Sequence, residues 1–207
     1  KGKPFNYSPP LIEAIDCRFE PYITIVRDRN NIKVVNKDPV FHDIQGYETS
    51  RRGARVLFNT PLPMSKKLKK KDFLEGKTVK NRAGNVLTQP IKMGKGRDLF
   101  IMQCGFHAYM ESWAFVADTP YYAISATDGS YTIPDIPPGS YSVRVWHPMV
   151  TKEYTVNINS NKTTELPIEI AAPKGRLYAN EVSEGTRFGL ELLGTSSIKP
   201  TLERQTY

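Results

Sequence analysis

The stretch "CGFHAYM", residues 104 to 110, sets a thiol, an imidazole and a thioether three residues apart in turn. Cys104, His107 and Met110 can close as a tight loop on one soft metal ion. The thiolate and thioether favour Cu(I), and imidazole accommodates Cu(II). Two imidazoles and a thiolate in a trigonal plane, with a weak axial thioether, form the donor set of copper electron-transfer sites. The loop lacks one equatorial imidazole. With three histidines in the chain, that ligand is His42 or His147. Other metals fit less well. Structural zinc wants more cysteines or histidines at paired spacings, and non-haem iron wants two histidines and a carboxylate. Calcium and magnesium want clustered carboxylates. No phosphate-binding glycine loop or Ser/His/Asp arrangement is evident, and Cys104 with His107 on one short loop makes a poor hydrolase pair.

The elements that must position these residues are strands. Pro 16 and Gly 14 are scattered through 207 residues, and β-branched and aromatic residues dominate the short apolar runs. That length buries one sizeable core, or one core with a smaller annex. No apolar run approaches the ~20 residues of a membrane span, so no span is expected. "YITIVR" and "IKVVNKD", joined by "DRNN", read as a β-hairpin, with Ile23, Ile25, Ile32 and Val34 on its buried face. A hairpin brings the residues before and after it to one end of the sheet, so Cys17 and His42 should share an end. His42 can then meet the end of the strand "DLFIMQC", which delivers Cys104. "RVLFNTPL" and "SWAFVAD" are further strands. His147, in "VWHP", reads as a framework residue.

After Thr119-Pro120 the texture changes. Turn signals at Asp128-Gly129 and Pro137-Pro138-Gly139, then "KEYTVNIN" and "TTELPIEI", predict a second sheet of about four strands. It is thin for an independent core. The Tyr121-Tyr122 pair is expected to pack between the two parts. The residues from Ala171 onward have little periodicity and read as an extended tail that wraps the body or reaches a partner.

The net charge of +8 is uneven. Between Lys66 and Arg97 eleven basic residues face two acids, a balance of +9 that leaves about −1 for the remainder. A loop of this kind is either a solvated surface or a docking patch for an acidic protein. Nucleic acid is not indicated, since Phe73 alone interrupts the run and no binding motif surrounds it. The two cysteines, Cys17 and Cys104, could form a disulfide in an oxidising compartment, which would remove the thiolate ligand. They could also both take part in one unusual site. The opening "KGKPFNYSPP" has no charged-then-apolar leader, as expected if a leader has been removed or the sequence starts part-way into a protein.

"NKDPVFH" followed by "CGFHAYM" resembles the cupredoxin pattern of N-x-D…H and C-x2-H-x2-M, with a short loop most like that of amicyanin. "CRFEP", "NKDPVFHDI", "CGFHAYMESWAFV" and "DGSYTIPDIPPGSYSVRVWHP" occur in the order of the plastocyanin-like proteins labelled methylamine-utilisation proteins. The resemblance covers residues 1 to 170. It implies an all-β, Greek-key cupredoxin sandwich over 1–120 with a basic insert at 65–97. A carboxypeptidase-regulatory-like, prealbumin-like β segment over 121–170 and an extended tail over 171–207 follow. It further implies one type 1 copper with His42, Cys104 and His107 equatorial and Met110 axial, and Asn36 supporting the ligand loop. Departures are the long lysine insert and Ala108-Tyr109 where Pro-Trp is usual. The implied protein is an electron carrier and not an enzyme, periplasmic or extracellular. Its partner would be a redox protein such as a cytochrome, approached near the edge of His107. The alternative is a copper-free scaffold or interaction subunit with a Cys17–Cys104 bridge, joined through its tail to a larger assembly.

Overall fold

A computed structural model describes residues 2–50, 53–64, 84–148 and 150–171. The described residues form eleven strands and no α-helix, so none offers a helix long and apolar enough to cross a membrane. The first sheet has the order β2 (Arg18–Glu20), β1 (Leu11–Ile15), β4 (Asn31–Asn36) and β7 (Leu87–Pro90). The second has the order β3 (Ile23–Val26), β9 (Glu111–Val116), β8 (Leu99–Gln103), β5 (His42–Ser50) and β6 (Gly53–Leu62). The chain passes repeatedly from one sheet to the other. β1 pairs with β4 in parallel, as β3 does with β9, and the remaining ladders are antiparallel. The result is an all-β sandwich, with the strands that composition predicts and the two-sheet architecture that the resemblance implies.

Alternation builds the core between the sheets. Ile12 and Ala14 of β1, Ile32 and Val34 of β4, Ile44, Leu62, Phe100, Met102 and Ala114 all turn inward and are buried. Strand side chains repeat every two residues, so each of these strands offers one face to that core.

The expected hairpin of β3 and β4 does not form. These strands lie in different sheets, and the turn around Arg29 carries the chain across the sandwich. Turn residues specify a reversal of direction without specifying which sheet receives the next strand. The expected buried face of β3 is also reversed: Thr24 and Val26 face the core, while Ile23 and Ile25 are half-buried on the other side. That outer face is apolar because Trp113 and Phe115 flank it on β9, and the ring of Phe115 meets Trp146 of the next strand at 5.9 Å. Ile32 and Val34 are buried as expected.

β10 (Gly139–His147) and β11 (Val150–Ile158) form a separate antiparallel pair. The expected sheet of about four strands is reduced to this ladder among the described residues. Residues 163–170 run alongside through isolated bonds, such as the Thr164 hydroxyl to the Asn157 carbonyl at 3.2 Å. Arg144 ties the ribbon to the sandwich through Asp98 at 2.7 Å. Tyr121 and Tyr122 pack against the N-terminal arm, where the Lys3 amide donates to the Tyr121 hydroxyl and Phe5 meets Tyr122. Most of the basic insert and nearly all of the tail lie outside the described residues. The end of the insert supplies β7, which pairs with β4.

Glu48 joins three parts of the sandwich. Its buried carboxylate accepts from Arg55 at 2.7 Å and from the Gly94 amide at 2.5 Å, with Arg97 also nearby. The hydrogen bond from Arg55 is the main cause that holds its carboxyl below the usual range, against the effect of burial. A depressed folded-state value means stability that is complete above the unfolded value of about 4.3 and lost as pH falls through the folded one. Glu48→Gln should therefore flatten the loss of stability below about pH 4.3, measured as urea midpoints across pH. An unchanged acid slope would remove Glu48 from that role.

Candidate metal centre

His42 opens β5, and Cys104 immediately follows β8, which pairs with β5 in the register Gln45↔Gln103. Both residues are therefore delivered to one end of the same sheet. The loop from 104 to 110 returns into β9, and Gln103 faces Glu111 across its base. Two backbone bonds close it: the Cys104 amide donates to the Met110 carbonyl at 3.1 Å and the Met110 amide to the His107 carbonyl at 2.9 Å. The Gln103 side chain adds a bond to the Ala108 carbonyl.

Three donor atoms converge there. His42 Nδ1 and His107 Nδ1 are 3.1 Å apart, and Cys104 Sγ lies 3.7 Å from the first and 3.5 Å from the second. The point equidistant from all three is about 2.0 Å from each, close to the ~2.0–2.3 Å of imidazole and thiolate bonds to zinc, a first-row metal of similar size. These three residues form a cluster with the spacing to hold an ion. His42 and Cys104 are fully buried, and His107 is half-buried. Met110, at the end of the loop, is buried in the same core cluster as Cys104. His147 ends β10, exposed, and does not join the cluster.

Asp38 sets the orientation of His42. His42 Nε2 donates to the Asp38 carboxylate at 2.8 Å, leaving Nδ1 with its lone pair toward the cluster. The same carboxylate accepts the amides of Asp16 at 2.7 Å and Cys17 at 3.0 Å. Those two residues form the β1–β2 turn with φ of 51° and 53°, a conformation side chains other than glycine rarely adopt. Asp38 thus holds the turn and the His42 ring together. Cys17 and His42 do share an end, but through Asp38 and the parallel pairing of β1 with β4. Asn36 accepts the Asp38 amide and donates to the Val40 carbonyl. It braces the turn before His42, in place of the expected support for the ligand loop.

Asp43 follows His42 and meets the sulfur. Its Oδ1 accepts from Cys104 Sγ at 3.3 Å and from the Gly105 amide at 2.5 Å. Burial pushes the Cys104 thiol up, opposed by the amides of Asp43, Phe106 and His107. Both cysteines are free thiols, so the Cys17–Cys104 bridge of the alternative reading is not formed, and Cys104 faces the histidines. Sequence reasoning gave Asp38 a place in the N-x-D…H pattern but no role, and it missed Asp43. Asp38 stands four residues before His42, a spacing that could have pointed to its role; Asp43 had no such signal.

Exposed aromatics surround the half-buried imidazole. Phe106 is 64% exposed, Tyr109 67% and Phe41 47%. Phe41 and Phe106 meet edge to face at 5.2 Å, and the Tyr109 ring lies 5.9 Å from His107.

A family model described as "Polysaccharide lyase family 4, domain II" matches residues 109–166, a minor part of the chain. That match falls where a carboxypeptidase-regulatory-like segment was expected. No curated protein matches. Among solved structures, the chain is similar to a purple cupredoxin from Nitrosopumilus maritimus, at 17% identity over 52% of this chain and 99% of that one, with a TM-score of 0.34. A mutant amicyanin in its reduced Cu(I) form at pH 4 is 14% identical over 54% and 84%, TM-score 0.33. A Cu-containing nitrite reductase from Thermus scotoductus SA-01 is 14% identical over 54% and 23%, TM-score 0.33.

Proposed function

We propose that this chain is a single-electron carrier that would hold one type 1 copper through His42, Cys104, His107 and Met110. The triangle of two Nδ1 atoms and one Sγ, with its centre at bonding distance from all three, carries this reading. Copper bound there supplies a one-electron couple. The surrounding residues hold the donors and exclude water. Asp38 fixes the tautomer of His42, the core covers His42 and Cys104, and the closed loop resists relaxation when the charge changes.

His107 is the ligand nearest solvent, and Phe41, Phe106 and Tyr109 form an apolar rim beside it. A redox protein such as a cytochrome would dock on that rim, steered by the basic segment 65–97 if its surface is acidic. The chain acts in this reading as a carrier and not as an enzyme, in the periplasm or outside the cell, and residues 171–207 join it to a larger assembly.

The test is the visible absorption spectrum before and after one equivalent of Cu(II). An intense thiolate-to-copper band that saturates at one ion per chain is expected, and Cys104→Ser should lose it. A protein that takes up no copper, or takes it up without that band in the native sequence, would sink the reading.

A further inference from the structure

Four features of Asp43 bear on the charge of the centre. First, the carboxylate is buried, 8% exposed, and its Oδ1 lies 3.3 Å from Cys104 Sγ. Second, both oxygens act as acceptors, as an ionised carboxylate does: Oδ1 takes the Gly105 amide and Oδ2 takes Gln45 Nε2 at 3.3 Å. Third, it is held in place by its own strand. Asp43, Gln45 and Tyr47 share one face of β5, and the Tyr47 hydroxyl donates to Gln45 Oε1 at 2.5 Å. Fourth, among the described residues Asp43 forms no ion pair with lysine or arginine.

We propose that the Asp43 carboxylate biases the centre toward the divalent over the monovalent ion and so sets a low reduction potential. This rests on the copper reading above. Once Cys104 is a thiolate, it and the buried carboxylates of Asp38 and Asp43 place three formal negative charges around two neutral imidazoles. A divalent ion leaves one of them uncompensated; a monovalent ion leaves two. Little water reaches the site to screen the difference. Asp38 spreads its charge over three N–H donors. Asp43 lies against the sulfur, the ligand whose hydrogen bonding tunes the potential of such sites. Amide donors to that sulfur withdraw charge from it; a carboxylate acts in the opposite sense.

Asp43→Asn keeps the shape and an acceptor for Gly105 while removing the charge. With the visible band retained, the ratio of Cu(II) to Cu(I) affinity should fall at least tenfold, a rise of about 59 mV for a one-electron couple. Competition against a Cu(II) chelator and a Cu(I) chelator, each measured separately, gives the ratio independently of electrochemistry. Asp43→Ser should shift it in the same direction and serves if the asparagine variant folds poorly. Asp43→Glu should stay nearer the native ratio. A ratio within threefold of native in a neutral variant, with its band intact, would reduce Asp43 to an anchor for Gly105. Absence of the band in the native protein would overturn the copper reading itself, and is seen before any variant is made.

Discussion

Asp38→Ala should cost about 3 kcal/mol of folding stability and weaken metal binding about 10- to 100-fold. The substitution strands three donors at once. His42 Nε2 is wholly buried and loses its acceptor, and the amides of Asp16 and Cys17 lose theirs. A buried donor without a partner costs about 1–3 kcal/mol, and bonds to a charged group lie at the upper end. The β1–β2 turn then keeps only its ladder, closed at Ile15↔Arg18, to offset its two left-handed residues. The loss of affinity has a separate origin, because an untethered imidazole can turn or change tautomer and withdraw Nδ1 from the cluster. Asp38→Asn should fall between, since one acceptor remains for three donors. Chemical denaturation and copper competition measure the two effects independently. A loss below 1 kcal/mol together with native affinity would refute the hub assignment.

The two histidines should respond differently to deletion. His107→Gly opens a half-buried position on a loop, and imidazole added to the solution should restore the visible band. His42→Gly removes a fully buried ring and leaves the Asp38 carboxylate facing a closed cavity. External imidazole should not restore that variant, and its stability should fall by about 3 kcal/mol or more, since a buried carboxylate loses a donor and a buried ring leaves a cavity. Titration of each variant with imidazole in the presence of Cu(II) distinguishes them. Equal rescue of both would mean that His42 is as accessible as His107.

The ligand loop was legible because its donors lie three residues apart within one turn-and-return. A local pattern of this kind survives any error about the rest of the fold. His42 was placed at the correct end by an incorrect route. The turn around Arg29 has the same residue types whether it closes a hairpin or carries the chain between sheets, and only pairing partners distant in sequence decide which. β3 misled for a related reason. Its outer face is covered by the later aromatics Phe115 and Trp146, so both faces are apolar and alternation loses its meaning. Asp43 was invisible because one acid beside a histidine has no periodicity. Its importance comes from the strand pairing that sets it against Cys104. The region after Thr119 shows the limit of turn signals: the reversals are present, but two extended stretches never acquire laddered neighbours.

Residues 104–110 are fastened at both ends to paired strands and closed on themselves by two backbone bonds. The sandwich therefore fastens the backbone of this loop at Gln103 and Glu111, while its side chains meet the rest of the body through His42, Asp43, Phe41 and the core that takes Met110. Such a segment is a replaceable cassette. Loops of other lengths could be spliced between the same two anchors, so the identity and reach of three donors could change in a single exchange while the strands, the core and the fourth donor on β5 stay as they are.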